Sequence, residues 1–510
     1  NALTYQGSSP TYKRGSWKEN ADKSLTLTMD GKDYTADYCD VSGKEGYRIT
    51  YNSDTMYASV SGAEISYTDE DFNGKTVLTL QCAEQDYTVA LTEKGFAVVM
   101  KDGQVDSTGR YTEQDGAYTI ILDGESFVSE DGTITGIQSS GVRGKIGEAI
   151  STGRLRDLAI MRSHGGRVRA IESGEVHIDI AFIGAPTCDE YGNMRANGGK
   201  SDCGVLSYAM VDAQYADRVV AITDCLVPFP NIPASISMTQ VDFVCVVDEI
   251  GNPAKIATGA AKPTTDVRKI MMADYCTQFV INTPYFKDGF SYQTGVGGAS
   301  IASTISLGKI MEERGIKMGL GLGGITTPMC NLLAKGLIDK IVDTQDFDMG
   351  AIESIKTNPN HIEISASEYA DPFNKGAYVN KLDFVILASL EVDVNFNCNV
   401  VVGSDGMITG AQGGHPDTAA GAKCTIVIAP LLQGRIPAIC TNVTTVTTPG
   451  ETVDVVITDY GIAINPRRQD LIECMKDVKL PFCTIEELRD KAYAIVGEPD
   501  PVQFSIEAGG

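Results

Sequence analysis

Two periodicities divide this chain. As far as about residue 135, apolar and polar positions alternate in short runs: Ser24-Leu-Thr-Leu-Thr-Met29, Lys75-Thr-Val-Leu-Thr-Leu80, Tyr87-Thr-Val-Ala-Leu91, Phe96-Ala-Val-Val-Met100 and Ala117-Tyr-Thr-Ile-Ile-Leu122. Asp30-Gly31, Asn73-Gly74, Asp102-Gly103, Asp115-Gly116 and Asp123-Gly124 punctuate them. Asx-Gly between period-two runs is a strong hairpin signal, because a type I′ turn needs φ > 0 at both central residues. An all-β meander or small barrel is expected over 1–135. Beyond about Ile137 the pattern becomes continuous apolar runs alternating with helix-length segments, which predicts an α/β architecture with mostly parallel sheets and flanking helices.

Within that larger part, 178–184, 218–222, 241–247, 318–322, 338–342, 424–429 and 453–458 read as strands. Residues 382–390 and 396–402 read as an antiparallel pair ahead of the Gly403-Ser-Asp-Gly406 turn. A helix follows Gly144, with Ile146, Ala149 and Ile150 on one side. A second carries Ile301, Ile305, Leu307 and Met311 and stops at Arg314-Gly315. A third has Thr327 as its expected N-cap, Pro328 in its first turn and Gly336 past its end. Residues 466–475 begin a terminal helix, and the tail from Gly497 reads as extended.

Three glycine loops stand at expected strand ends. The segment Ser291-Tyr-Gln-Thr-Gly-Val-Gly-Gly-Ala-Ser300 joins an apolar-aromatic run to a helix, Gly323-Gly324 forms a turn, and Thr409-Gly-Ala-Gln-Gly-Gly-His-Pro416 makes the third. Strand, glycine loop and helix together let backbone N–H groups approach a ligand and aim a helix N-terminus at negative charge. A purely structural glycine turn reads the same way. No Gly-Lys-Ser/Thr and no clean GxGxxG follows, which argues against a nucleotide or dinucleotide site.

Composition narrows the partners. Of 510 residues 43% are hydrophobic and 21% charged, and no apolar run nears the ~20 residues a membrane helix needs. Net charge is −25, and residues 1–135 hold 11 Lys and Arg against 23 Asp and Glu. No nucleic acid is expected as partner, since that wants a basic stripe, and a small anion would need local Arg, His and N–H donors. The 13 scattered Cys fit reduced thiols in a cytoplasmic protein. His164, in Ser163-His-Gly-Gly-Arg167, suits an anion site or a turn. His415, closing Gly413-Gly-His, is equally a candidate for chemistry or structure. His177 and His361 read as structural, Cys188 and Cys203 as core or loop thiols, and Glu391 and Asp393 as paired carboxylates or solvated edge groups. No ligand spacing joins the four His to Cys or carboxylates, so no metal site is expected.

Read together, Ser140-Gly-Val-Arg-Gly144, Ser163-His-Gly-Gly-Arg167, Cys188-Asp-Glu-Tyr-Gly192, Tyr285-Phe-Lys-Asp-Gly-Phe290, Gln293-Thr-Gly-Val-Gly-Gly-Ala-Ser300, Leu322-Gly-Gly-Ile-Thr326, Asn358-Pro-Asn-His-Ile-Glu-Ile-Ser365, Gly413-Gly-His415, Gly434-Arg-Ile-Pro437 and Gly461-Ile-Ala-Ile-Asn-Pro466 closely resemble the α subunits of citrate lyase, within the CoA-transferase fold. The resemblance runs over about 137–504. It implies a two-lobed α/β enzyme, with a first lobe over 136–275 and a second over 276–510, preceded by the 1–135 module. It also implies an oligomeric complex with a β lyase subunit and a γ acyl carrier bearing a CoA-like phosphopantetheine thioester, with no cofactor held tightly by this chain.

The implied reaction exchanges acetate for citrate on that thioester. Relatives with an enzyme-bound thioester use a glutamate where Gly323-Gly324 stand here, so direct attack by the citrate carboxylate is implied instead. Oxyanion stabilisation then falls to Gly297, Gly298, Gly413 and Gly414, with His415 beside them. Citrate falls to His164, Arg167, Arg143, Gly165 and Gly166. The carrier arm falls to Gly295, Gly323, Gly324 and Asn465. Two alternatives stand beside this: another acyl-CoA transferase or hydrolase, and a non-catalytic scaffold that kept the fold. Citramalate is not separated from citrate. The resemblance further implies an α/β segment ahead of Ser140, where the acidic β pattern stands here. That leaves a sheet edge for the meander or a partner to cover.

Overall fold

In the computed structural model, residues 136–500 are described apart from 154, 156 and 257–263, and of residues 1–135 chiefly the backbone of thirteen strands. The chain divides into two compact units, Asn1–Thr135 and Gly136–Gly510. In the first, antiparallel strands form a five-stranded sheet over Ser16–Ser59 and a six-stranded sheet over Val77–Ser126. Strand pairs flank four of the Asx-Gly steps, for example Leu25–Met29 with Lys32–Val41 and Phe96–Lys101 with Gln104–Gln114. The Asx-Gly residues themselves lie outside the described residues.

The second unit is built on an eight-stranded sheet. Its strands and helices in chain order are α4 (Val267–Ile281), β9 (Phe290–Thr294), α5 (Gly298–Arg314), β10 (Met318–Ile325), α6 (Thr327–Ala334), β11 (Ile341–Asp346), α7 (Met349–Thr357), β12 (His361–Glu363), α8 (Ala366–Ala370), β13 (Phe384–Ala388), α9 (His415–Gly421), β16 (Cys424–Ile428), β18 (Val455–Ile457) and β19 (Ile462–Ile464). The order across the sheet is β12-β11-β10-β9-β13-β16-β18-β19, parallel except for the last pair. Both faces are covered, as a parallel sheet requires. On one, Phe384, Ile386, Ile426 and Val455 pack against Met272, Cys276 and Phe279 of α4 and Leu307 and Met311 of α5. On the other, Val385, Leu387, Val427 and Val456 meet Ala419 of α9 and Leu488 and Ala492 of α11 (Ile485–Val496).

The first lobe is smaller. β1 (Ile137–Ser139) pairs in parallel with β2 (Ala159–Met161), and β3 (Ile180–Gly184), β6 (Arg218–Thr223) and β8 (Phe243–Val246) form a separate parallel sheet. Helices α1 (Gly144–Ser151), α2 (His164–Glu172) and α3 (Ser207–Tyr215) link them, α3 covering Ala181, Ile183, Val219 and Ala221.

One motif occurs in both lobes. In the first, β4 (Thr187–Asp189) pairs antiparallel with β5 (Met194–Arg195) and parallel with β7 (Leu226–Val227). In the second, β14 (Glu391–Asp393) does the same with β15 (Cys398–Asn399) and β17 (Ile439–Cys440). Asp189 accepts from the Asn193 amide (3.0 Å) and Nδ2 (2.8 Å), as Asp393 does from the Asn397 amide (3.0 Å) and Nδ2 (3.0 Å). Asn193 Oδ1 then takes the Met238 N–H, and Asn397 Oδ1 the Gly450 N–H. The same interval separates Ile180 from Phe384, Asp189 from Asp393 and Asn193 from Asn397.

Several expectations change. The 382–390 run is a central parallel strand, because both its faces are apolar, and the antiparallel partner of β14 is only Cys398–Asn399. Gly323-Gly324 lie inside β10 rather than in a turn, at a shift of register between them. Thr326, not Thr327, is the cap residue of α6. The last helix, Ile485–Val496, begins at a Thr484/Glu487 capping box ahead of the tail. Helix α4 spans the 275/276 division, and its buried side chains belong to the core of the eight-stranded sheet.

Candidate functional site

The glycine loops converge where the two lobes meet. The SGVRG loop lies on the third glycine loop: Gly141 bridges Ala411, and the Gly413 amide donates to the Ser140 carbonyl (3.2 Å). The His164 amide in turn donates to the Gly413 carbonyl (3.0 Å). Gly413 has φ +51°, and a Cβ there would stand 3.1 Å from His164 Nε2. Opposite it, Asp417 in the first turn of α9 accepts from Ser163 Oγ (2.6 Å) and the Gly165 amide (3.0 Å). Ser163 also caps α2 through the Gly166 amide. The amides of Gly165 and Gly166 are thus engaged by Asp417 and Ser163. Their place in the site is to bring α2 against α8 and α9, since a Cβ on Gly165 would lie 2.0 Å from the Ala370 carbonyl. They do not present open donors to a substrate.

The His164 ring packs on Tyr208 (4.6 Å between centroids) and faces Tyr369 (6.4 Å). Burial, then the Arg167 charge, pulls its pKa down to about 4. It is therefore a neutral ring at neutral pH, able to hydrogen-bond a carboxylate but not to add a charge to the bond. Arg167 carries that charge. One arm of its guanidinium grips Asp212 (Nη2 to Oδ1 2.9 Å), while buried Nη1 has no partner among the described residues. Arg143 is exposed at the N-terminus of α1.

Next to these lies Gln293, at the end of β9. Its Nε2 donates to Tyr369 Oη (2.8 Å), and its buried Oε1 has no partner among the described residues. Gly323 makes room for it: at φ +96°, a Cβ would meet Gln293 Nε2 at 2.3 Å. Gly324 accommodates the Phe347 ring in the same way, at 1.8 Å. These two glycines thus shape the floor of the site. Asn465 lies elsewhere: its side chain is buried and committed to the Gly450 and Val453 carbonyls and the Arg467 amide. It has no group left for a carrier arm.

The first glycine loop, Ser291–Ser300, supplies the remaining donors. The Gly295 amide bonds the Ile386 carbonyl, anchoring the loop to β13. Gly297 is the N-cap of the 17-residue helix α5 and brings no side chain to cap it, so the first-turn amides beginning at Gly298 have no capping partner among the described residues. A Cβ on Gly297 would lie 3.9 Å from Ala388, whose carbonyl faces His415 Nε2 at 3.1 Å. A carbonyl only accepts, so Nε2 carries the proton, and Nδ1 accepts from the Thr448 hydroxyl (2.7 Å). Burial holds His415 near pKa 4. With both nitrogens engaged, His415 fixes the loop rather than serving as a base. The Gly413 amide, bonded to Ser140, is likewise not free for an oxyanion.

Sequence reasoning passed over Tyr208, Gln293, Tyr369 and Asp417 as site residues. It also overlooked a buried group beneath Tyr208. His361 Nε2 lies 3.0 Å from Asp343, which with Asp346 makes a cluster of metal-ligand spacing. Burial pushes both carboxyls up, and the Asp343 charge adds to the rise at Asp346, whose two oxygens are buried with no hydrogen-bond partner among the described residues. The expectation of no metal site had considered spacing along the sequence only.

Comparison with known proteins gives the family and the fold. The family model "Citrate lyase, alpha subunit" matches residues 119–508. The citrate lyase alpha chain of Klebsiella pneumoniae is 50% identical over 376 residues, 74% of each chain, and that of Haemophilus influenzae 49% identical over 74% of this chain and 75% of its own. A solved citrate lyase α subunit from Streptococcus mutans, in complex with citrate, superposes with a TM-score of 0.72 at 53% identity, covering 74% of both. A malonate decarboxylase α subunit from Acinetobacter baumannii shares the fold at 14% identity and TM-score 0.54, over 75% of this chain and 78% of its own.

Proposed function

Since this chain belongs to the citrate lyase α-subunit family and is a citrate CoA-transferase subunit, we propose that it exchanges acetate for citrate directly on a carrier-borne thioester. A citrate carboxylate oxygen attacks the acetyl carbonyl carbon. The resulting oxyanion collapses, expelling the thiolate and leaving an acetyl–citryl anhydride. The thiolate then attacks the citryl carbonyl and releases acetate, so that one thioester is broken and one formed. No general base is needed, because the attacking carboxylate is already ionised.

The uncapped N-terminus of α5 carries this reading. Its first amides have no partner among the described residues and the positive end of the helix dipole behind them, the arrangement that stabilises an oxyanion without reorganisation. Gly297 and Gly298 serve there, Gly414 borders the same space, and His415 positions the loops. The free arm of Arg167, neutral His164 and Gln293 Oε1 make the citrate end, the last accepting from the citrate hydroxyl. Arg143 is an exposed second cation for a carboxylate. Gly295, Gly323 and Gly324 give the carrier arm its passage. Partners are a lyase subunit and an acyl carrier in the cytoplasm, and no cofactor is held tightly. No helix among the described residues could cross a membrane.

Citrate labelled with ¹⁸O in its carboxylates tests this. Mixed with the chain and an acetyl thioester of a phosphopantetheine carrier, it should give citryl thioester and an equal amount of acetate carrying one ¹⁸O from citrate. In a single turnover with the chain in excess, unlabelled acetate would point to an enzyme-bound intermediate or hydrolysis, and no turnover with carrier bound would mean a scaffold.

A further inference from the structure

The carboxyls around the end of β11 are provided with donors, with one exception. Asp343 accepts from the Gln345 amide (2.8 Å) and stands 3.0 Å from His361 Nε2. Asp348 takes the amide and hydroxyl of Thr327 and the Ala351 amide. Glu363 takes the Ser235 hydroxyl (2.6 Å) and the Leu206 amide. Asp346 differs: it is 5% exposed, and neither of its oxygens has a partner among the described residues. An unpaired buried carboxyl is costly, so such a group in a folded protein marks a partner of another kind.

The surroundings of Asp346 supply the rest of a ligand set. One oxygen of Asp346, one of Asp343 and a ring nitrogen of His361 lie within 4.8 Å of one another, and all three residues are buried. Bonds of ~2.0–2.2 Å from a divalent transition cation to imidazole nitrogen and carboxylate oxygen suit a set of this spacing. The far side of the His361 ring is held, Nδ1 lying 3.0 Å from Ser354 Oγ. With Nδ1 donating there, Nε2 turns a lone pair toward the carboxyls, the tautomer of a metal-bound histidine. The first lobe closes over the same place. Gly204, at φ +88°, sits so near that a Cβ would stand 1.5 Å from Asp346 Oδ2.

A proton held between the two carboxyls is the alternative, and it accounts for less. It gives a partner to one oxygen of Asp346, leaves the other bare and leaves a negative charge on the pair. A divalent cation meets both carboxylates, balances their two charges and takes the imidazole lone pair. We propose that Asp343, Asp346 and His361 bind a divalent transition cation of the zinc type, tying the end of β11 to the start of β12 beneath the Gly204 loop. Because all three donors are buried, the ion's part is structural.

The test uses the full chain stripped by a chelator, in buffer free of citrate, which itself chelates. His177→Gln is present throughout, because His177, Asp179 and Asp217 form an exposed group of similar spacing. In calorimetric titration Zn²⁺ should bind as a single equivalent and raise the melting temperature, and Mg²⁺, a poor partner for imidazole, should bind at least ~100-fold more weakly. Asp346→Asn should abolish the Zn²⁺ binding, while the metal-free variant melts no lower than its metal-free parent. Ser354→Ala keeps all three donors and should weaken Zn²⁺ ~10- to 100-fold by releasing the ring. Two results would overturn the proposal. One is no saturable Zn²⁺ binding, which would leave a shared proton as the partner of Asp346. The other is Zn²⁺ binding with affinity unchanged by Asp346→Asn and Ser354→Ala, which would make it an adventitious ion only.

Discussion

Asp417 ties two glycine loops together by accepting at once from Ser163 Oγ, 2.6 Å away, and from the Gly165 amide at 3.0 Å. Those residues lie some 250 positions apart, so this carboxyl clamps α2 of the first lobe to α9 of the second. Asp417→Ala leaves both donors buried without a partner, a cost of ~1–3 kcal/mol each at such sites. Urea unfolding should show that loss, and transfer activity should fall with it, while Asp417→Asn should be milder.

Arg167 makes the next test. Arg167→Met should raise the KM for citrate about 10- to 100-fold with a smaller change in kcat, one charge-assisted bond being worth ~1.5–3 kcal/mol. Asp212 loses its cation in that variant. The double variant Arg167→Met/Asp212→Asn therefore separates substrate binding from stability, and a KM restored in it would remove Arg167 from the site.

At Gly323 and Gly324 the expected effect is steric. Gly323→Ala meets the Gln293 amide at a positive φ, a strain of ~1–3 kcal/mol, and Gly324→Ala drives into the Phe347 ring. Both should lower the melting temperature. Gly323→Ala should also impair turnover, because it displaces Gln293 from Tyr369.

Acid should destabilise the fold through its histidines. His164, His361 and His415 are each held down to about 4 by burial, against ~6.5 in an unfolded chain. Between those values the unfolded chain binds protons that the folded one does not. Their stabilisation is complete above pH 6.5 and is lost as pH falls toward 4. Asp417, raised to about 6 by burial, works in the opposite direction over pH 3.8 to 6. Comparing His415→Gln with the parent cancels that term. The variant's unfolding free energy should fall less steeply with acid, by up to ~1.4 kcal/mol per pH unit.

Much of this was legible along the chain. The glycine loops, the buried strands and the family motifs are local signals, and β9, α5, β10 and α9 sit where they point. The misses share a cause. Asp417 and Tyr369 acquire their meaning from partners in another loop or lobe, which no window of sequence contains. Phe384–Ala388 looked like half of an antiparallel pair because a short apolar run does not state its partner. His164 and His415 stand out in the sequence, but the hydrogen bonds and burial that keep them neutral are tertiary. The lobe repeat did leave a trace, Asp189-Glu-Tyr-Gly-Asn193 and Asp393-Val-Asn-Phe-Asn397, too sparse in identities to stand out.

The Asp–Asn clasps bear on the order in which the chain is made. Each closes within its own lobe: Asp189 reaches 42 residues ahead to the Asn231 amide, and Asn397 reaches 53 ahead to that of Gly450. The first can form while the second lobe is still being synthesised, so a ribosome releases an already clasped first lobe. What must wait for the end of translation is the clamp at Asp417, and with it the site.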